Sequence, residues 1–168
     1  MMKNYTKGNT MNQNKNAFTM IELVFVIVVL GILAAVAVPK FAATRTDAQI
    51  AKGRADVASI RSSIITERQS RLIKGDSSYI NKLHSSTTSY FDGNGTAGIN
   101  LLMYGVTPED ANGHWKTGAA CAGTPSVCTY TIMLNSISVA FTYTPADGKF
   151  TCATANATYG EMCKQLIN

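Results

Sequence analysis

This 168-residue chain has no glycine-rich phosphate loop, no catalytic-triad signature and no Cys-x-x-Cys pair. Phosphate-cradling and triad-based chemistry both need such arrangements, so neither is supported. Its two histidines, His84 and His114, have no nucleophile or carboxylate at a recognised spacing. No enzyme is expected. Two further absences are local. Residues 1–17 contain no acid, only Lys3, Lys7 and Lys15 among many asparagines. Leu23 to Val38 is sixteen residues without a charged or polar side chain, Gly31 apart.

The apolar stretch therefore organises the chain. As a helix, Phe18 to Val38 would reach about 31 Å at ~1.5 Å per residue, close to a hydrocarbon core of roughly 30 Å. One residue breaks the pattern: Glu22 sits inside the apolar edge. An acid at that depth is costly and by default points to function. The basic leader followed by an apolar run reads as an export signal. Two cuts are open. An ordinary signal peptide would be cut after the small residues Ala35-Val36-Ala37, leaving a soluble periplasmic or ligand-binding domain. A cut between Ala17 and Phe18 would keep the helix.

Ala17-Phe18-Thr19-Met20-Ile21-Glu22, followed by an apolar run ending at Pro39, resembles the prepilin signature of type IV pilins and type II secretion pseudopilins. The resemblance spans roughly residues 15–40, with Ala17 where the family usually has glycine. It implies that a prepilin peptidase cuts between Ala17 and Phe18, and that Phe18 becomes an N-methylated first residue. It further implies that Glu22 faces a neighbouring subunit's terminus during assembly and that Pro39 kinks the helix. The implied product is a structural filament subunit, homo- or hetero-oligomeric with other pilins. It would be held single-pass in the bacterial inner membrane, in contact with lipid and an assembly platform, with its C-terminal domain in the periplasm. It would then enter a pilus or pseudopilus.

The residues themselves supply a reason for such an arrangement. An ammonium at Phe18 and the Glu22 carboxylate are each costly in lipid, and pairing across subunits lowers both costs. A single buried polar pair can also set register along a seam that is otherwise Val, Ile and Leu. The competing reading is a Glu22 that stays hydrated at the membrane edge.

The formal charge of +5 falls to +2, twelve basic and ten acidic residues, once residues 1–17 are removed. Nucleic acid is thus not expected as the main partner, despite a pI near 9.1. Lys40, Arg45, Lys52 and Arg54, against Asp47, closely follow the apolar run, so the positive-inside rule does not decide orientation.

Beyond Pro39, Ile50, Val57, Ile60 and Ile64 recur at helical spacing, with alanines throughout. This predicts an amphipathic continuation to about Lys74, stopped at Gly75, with Glu67 and Arg71 as an i, i+4 pair. Pro39 removes one backbone hydrogen bond, which predicts a bend there. Arg54, Arg61 and Arg68 repeat every seven residues and are expected as solvated flanks whose stems cover the apolar stripe; the alternative is an inter-subunit or ligand-facing basic line. Residues 76–127 are turn-rich, with Tyr79-Ile80, Leu83 and Ile99 to Val106 expected to lie over the helix. From Thr129 the pattern alternates as three strands, Thr129–Leu134, Ile137–Tyr143 and Lys149–Cys152, with turns at Asn135-Ser136 and Pro145–Gly148. The predicted class is α+β: a long N-terminal helix, transmembrane then amphipathic, packed on a small antiparallel β-meander. The expected spans are a leader over 1–17, a transmembrane and assembly half over 18–39, an amphipathic half over 40–75 and an exported region over 76–168.

All four cysteines lie late: Cys121, Cys128, Cys152 and Cys163. An even count in an exported domain implies two disulfides with three possible connectivities. The outer strands of a three-stranded meander lie about 10 Å apart, too far for a direct Cys128–Cys152 bridge. Local closure, Cys121–Cys128 and Cys152–Cys163, is expected. The second bridge would fasten a tail loop, which resembles the disulfide-bounded loop near the C-terminus of type IV pilins. Zinc is the alternative, with His114 as a lone extra ligand. No cofactor is expected. Asp92-x-Asn94-Gly95 matches part of a calcium loop, but Met103 stands where an EF-hand has its closing Glu. Some pseudopilins bind calcium in a globular-domain loop, so the resemblance leaves a calcium site near Asp92 or Asp110 as the exception.

Overall fold

The structure, a computed structural model, describes residues 18–93, 101–123 and 126–168, and excludes the side chains of Pro39 and of residues 41–43. The elements in chain order are α1 (Met20–Ile73), β1 (Ala120–Ala122), β2 (Val127–Leu134), β3 (Ile137–Thr144), β4 (Lys149–Cys152) and α2 (Gly160–Ile167). The chain divides into two compact units, Met1–Phe41 and Ala42–Asn168. The class is α+β, as expected. The bend expected at Pro39 lies outside the described side chains.

In the first unit, α1 starts at Met20 and, Glu22 apart, is apolar on every face through Val38. Met20–Val38 is long and apolar enough to cross a membrane, and none of it is buried within the chain.

The second unit is built on residues 42–73 of α1. Val57, Ile60 and Ile64 are fully buried, with Ile50 half-buried beside them. Gly53 belongs to the same face: a Cβ there would come within 2.8 Å of Leu166 and 3.1 Å of Ile132. Glycine costs helix stability, and here it allows α1 to approach β2 and α2 closely. The helix ends in a Schellman motif, with Gly75 at φ +85°. The Gly75 amide donates to Leu72 O and the Asp76 amide to Arg71 O, at 3.0 and 2.9 Å. These bonds satisfy carbonyls that the helix leaves open. Glu67 pairs with Arg71 at 3.2 Å, and Arg71 also reaches Asp76 at 3.1 Å.

The sheet is four-stranded and antiparallel in the order β1-β2-β3-β4, not the three-stranded meander expected. The added strand, β1, is three exposed residues, Ala-Cys-Ala. Neither alternation nor β-branching announces it, and its pairing places Cys121 directly opposite Cys128. Beyond β1 the same edge of β2 is covered by residues 113–116. Here Lys116 N donates to Thr131 O at 2.7 Å and Met133 N to His114 O at 3.0 Å. Asn135 and Ser136 both take positive φ, 48° and 63°, the two-residue hairpin turn that matches strand twist. Alternate residues of the long strands face inward, among them Tyr130, Ile132, Leu134, Val139, Phe141 and Tyr143.

The core is more aromatic than the strand pattern alone implies. Tyr90, Phe91 and Trp115, from the turn-rich region, join the strand aromatics. Phe91 meets Trp115 edge-on at 4.8 Å, and Phe141 stacks on Phe150 at 5.0 Å between centroids. Three buried phenols tie loops to the sheet, as buried tyrosines require. Tyr143 donates to Ile80 O at 2.6 Å, Tyr130 accepts from Leu83 N at 2.9 Å, and Tyr90 accepts from Ala119 N at 2.6 Å. Burial pushes the Tyr130 and Tyr143 hydroxyls well above their ordinary pKa. Of the region expected over the helix, Ile80 and Leu83 are buried, and Tyr79, Leu101, Leu102 and Val106 pack against the core. Ile99 lies outside the described residues.

The arginine line differs from expectation. Arg54 Nε donates to Gln165 O at 2.9 Å, and Arg61 Nε to Phe150 O at 3.1 Å. Arg68 lies 4.0 Å over the Tyr79 ring. Seven-residue spacing keeps the three on one side of α1, where each meets a different partner: α2, β4 and the segment after α1. Arg54 is exposed, as a solvated flank would be, while Arg61 and Arg68 are half-buried, and all three brace the second unit.

Cys121–Cys128 joins the paired strands β1 and β2 with Cα atoms 4.0 Å apart. Cys152–Cys163 joins β4 to α2 at a Cα separation of 6.0 Å. The segment expected as a tail loop is the helix α2, which buries Cys163 and Leu166. Peptide mapping without reductant should recover these two pairs. A Cys152→Ser/Cys163→Ser variant should lose about 2–3 kcal/mol of unfolding free energy in urea, from loop-closure entropy. Free thiols in the purified protein, or an unchanged urea midpoint, would contradict the assignment.

Candidate functional site

In the first unit, Thr19 precedes the first helical residue, and its Oγ1 accepts the Glu22 backbone N–H at 3.2 Å. Thr19 O accepts from the backbone N–H of Glu22 at 3.1 Å and of Leu23 at 3.2 Å. Thr19 is thus the N-cap and Glu22 the third helical residue, the spacing of a capping box. This signal, Thr-x-x-Glu ahead of an apolar run, is legible in the sequence once the acid is counted from the threonine. Glu22 also lies in the first turn, where a negative charge suits the helix dipole.

Phe18 is 79 % exposed, and it shares a shallow groove with Glu22, Leu23, Val26 and Ile27. Phe18, Glu22 and Val26, four residues apart, follow one helix face. The face is apolar except for one carboxylate, which makes no ion pair among the described residues. Such a surface can bury itself against lipid or other helices, and it presents an acceptor for a cationic donor. Ala17, the residue before the expected cut, lies outside the described residues.

In the second unit the remaining candidates take local roles. The Asp92 carboxylate accepts from the Ser85 amide at 2.8 Å and from the Ser85 hydroxyl. Burial raises its pKa, but these bonds together with those from Ser89 and its own backbone outweigh it and hold the pKa below the ordinary value. Asn94 and Gly95 lie outside the described residues. The Asp110 carboxylate accepts from Thr117 N at 3.1 Å and Thr117 Oγ1 at 3.0 Å. His84 Nδ1 lies 2.7 Å from the Tyr130 hydroxyl, and burial lowers its pKa. His114 faces Glu109 at 3.5 Å. The four cysteines are consumed by the two disulfides. Among the described residues no group of three or more His, Cys, Asp and Glu is placed to hold a metal ion.

The comparisons bear on the first unit. A family model described as the prokaryotic N-terminal methylation motif matches residues 12–38. That is the prepilin signature of type IV pilins and pseudopilins, and here it runs from residue 12 through the apolar half of α1. No curated protein and no solved structure matches the chain.

Proposed function

Starting from that methylation motif, we propose that the chain is a structural subunit of a type IV pilus-like filament, a type IV pilin or type II secretion pseudopilin. The observation that carries the reading is the continuity of the motif with an exposed, membrane-length helix bearing a single acid at its start. In this reading, residues 1–17 are a leader removed by prepilin peptidase between Ala17 and Phe18. Residues 18–39 hold the subunit in the bacterial inner membrane, and the remainder stands in the periplasm. An assembly platform then moves the subunit out of lipid and against other pilins. Lipid and neighbouring apolar helices are similar solvents for Val, Ile and Leu, so the transfer costs little. Contacts that repeat without closing a ring extend into a fibre.

The polar pair supplies direction. The methylated amine of Phe18 keeps its positive charge and is a donor, and Glu22 of an adjacent subunit is the acceptor. No catalytic residue and no cofactor enters this function. Intact-mass and N-terminal analysis of the mature protein tests the reading. The expected chain begins at Phe18, 151 residues long, and carries one added methyl group. A mature terminus at Val38 would discard the apolar helix and leave a soluble periplasmic domain instead.

A further inference from the structure

In the second unit, a notch of about 270 Å³ lies between α1 and two loops, lined by Arg45, Thr46 and Gln49 from the helix and by Asn112 and Asn135 from the loops. Every lining side chain is polar and none is acidic. The chain has five arginines, and four of them meet a partner. Arg54 and Arg61 reach backbone carbonyls, Arg68 the Tyr79 ring, and Arg71 two carboxylates. The Arg45 guanidinium has no partner among the described residues, and neither do the side-chain amides of Gln49 and Asn135. The walls around them are nonetheless fixed. Asn112 Oδ1 accepts from Ser136 N at 2.6 Å, which ties the two loops together. Gly113, at φ +84°, brings its loop against the helix, so that a Cβ there would stand 3.0 Å from Gln49 Cγ. Lys52 Nζ donates to Gly113 O at 3.0 Å. Asp47, two residues from Arg45, lines a different groove together with Arg54.

We infer that this notch binds a carboxylate-bearing sugar, the chemistry of a uronic-acid residue in a polysaccharide. A planar guanidinium matches a carboxylate through two parallel hydrogen bonds. One positive charge in a lining without an acid suits a monoanion. A phosphate dianion would call for a second cation, and the nearby Lys52 is spent on Gly113 O. A carboxamide both donates and accepts, which is what sugar hydroxyls ask of their partners, and the notch offers three of them. Its volume stands just below the range of about 300–1,000 Å³ usual for ligand pockets, so it takes one ring rather than a stretch of polymer. The inference is independent of the filament reading, since Arg45 follows both expected cuts, the one after Ala17 and the one after Ala37.

The test uses the full-length chain in detergent and isothermal titration calorimetry, with galacturonate, galactose, acetate and inorganic phosphate as probes. Galacturonate should bind about tenfold or more tighter than galactose, which lacks the carboxylate, and than acetate, which lacks the hydroxyls. Arg45→Gln should weaken galacturonate by about tenfold or more, the factor for a hydrogen bond to a charged group. Because Arg45 is exposed, the urea midpoint of that variant should stay in place. Asn135→Gly keeps the positive-φ turn and removes one amide, so it should weaken galacturonate and leave acetate unchanged. Absence of saturable galacturonate binding overturns the inference. So does full galacturonate affinity in Arg45→Gln. Acetate or phosphate binding as tightly as galacturonate would make the notch a general anion site and also overturn it.

Discussion

Glu22→Ala should leave the protein inserted and cleaved but without filaments. The substitution removes the only charge in the apolar half of α1, so membrane insertion is eased rather than impaired. Assembly is where the loss falls. In the proposed fibre the ammonium at Phe18 of one subunit would stand among apolar helices with its acceptor gone. Removing one side of a buried ion pair typically costs about 3–5 kcal/mol, and in a fibre that cost recurs at every subunit. Glu22→Gln is the informative companion. It keeps size and a hydrogen-bond acceptor but no charge, so it should recover only part of the yield. Each variant must be the sole copy in the cell, since wild-type subunits would mask the defect. Quantifying sheared filaments against cleaved protein in the membrane checks the expectation. Wild-type yield from Glu22→Ala would make the acid a membrane-edge marker.

The second large effect is expected in the second unit. Trp115→Ala should lower its unfolding free energy by about 3–5 kcal/mol, the usual range for emptying a large aromatic site. Trp115 is 1 % exposed and contacts Phe91, Phe141 and Phe150. Its indole N–H donates to Asp56 Oδ2 at 3.1 Å, on the face of α1 that meets the core. Against a typical domain stability of about 5–15 kcal/mol, the loss should show as a much lower urea midpoint. Trp115→Phe separates packing from the hydrogen bond. Burial raises the Asp56 pKa, and the indole, Lys52 and His114 act against that rise. A carboxyl with a raised folded-state pKa contributes most below its unfolded value and loses that contribution as pH rises through the folded one. Taking away the indole donor raises the folded pKa further. The deficit of Trp115→Phe should accordingly be larger at neutral pH than below the ordinary carboxylate range. A deficit that does not change with pH would show that the Asp56 bond contributes nothing.

How much could be read beforehand followed from how periodic each segment is. Helix α1 announces itself twice, by an unbroken apolar run and then by Ile50, Val57, Ile60 and Ile64 at helical spacing. Its expected span, Phe18 to Lys74, differs from Met20–Ile73 only at the ends. The two long strands, β2 and β3, carry apolar residues at alternate positions and were legible for the same reason, as was the four-residue β4. What escaped has no period. Strand β1 is three small residues, and α2 is eight residues, barely two turns, in a tail marked mainly by its cysteine. Tyr90, Phe91 and Trp115 are isolated aromatics among turn residues, and only the folded chain brings them together. The arginine line showed its spacing but not its partners, since backbone carbonyls at Phe150 and Gln165 leave no trace in a sequence pattern. At the amino-terminal site the acid stood out because it was costly. The threonine beside it was ordinary in every respect except its distance from that acid.

The two bridges have a consequence for the order in which the chain meets its surroundings. Each joins cysteines that are neighbours in sequence, 7 and 11 residues apart. A chain delivered from its amino-terminal end exposes Cys121, Cys128, Cys152 and Cys163 in that order. Each bond can then close before the next cysteine emerges. The correct pairing is also the earliest one available, so oxidation as fast as delivery needs no later reshuffling.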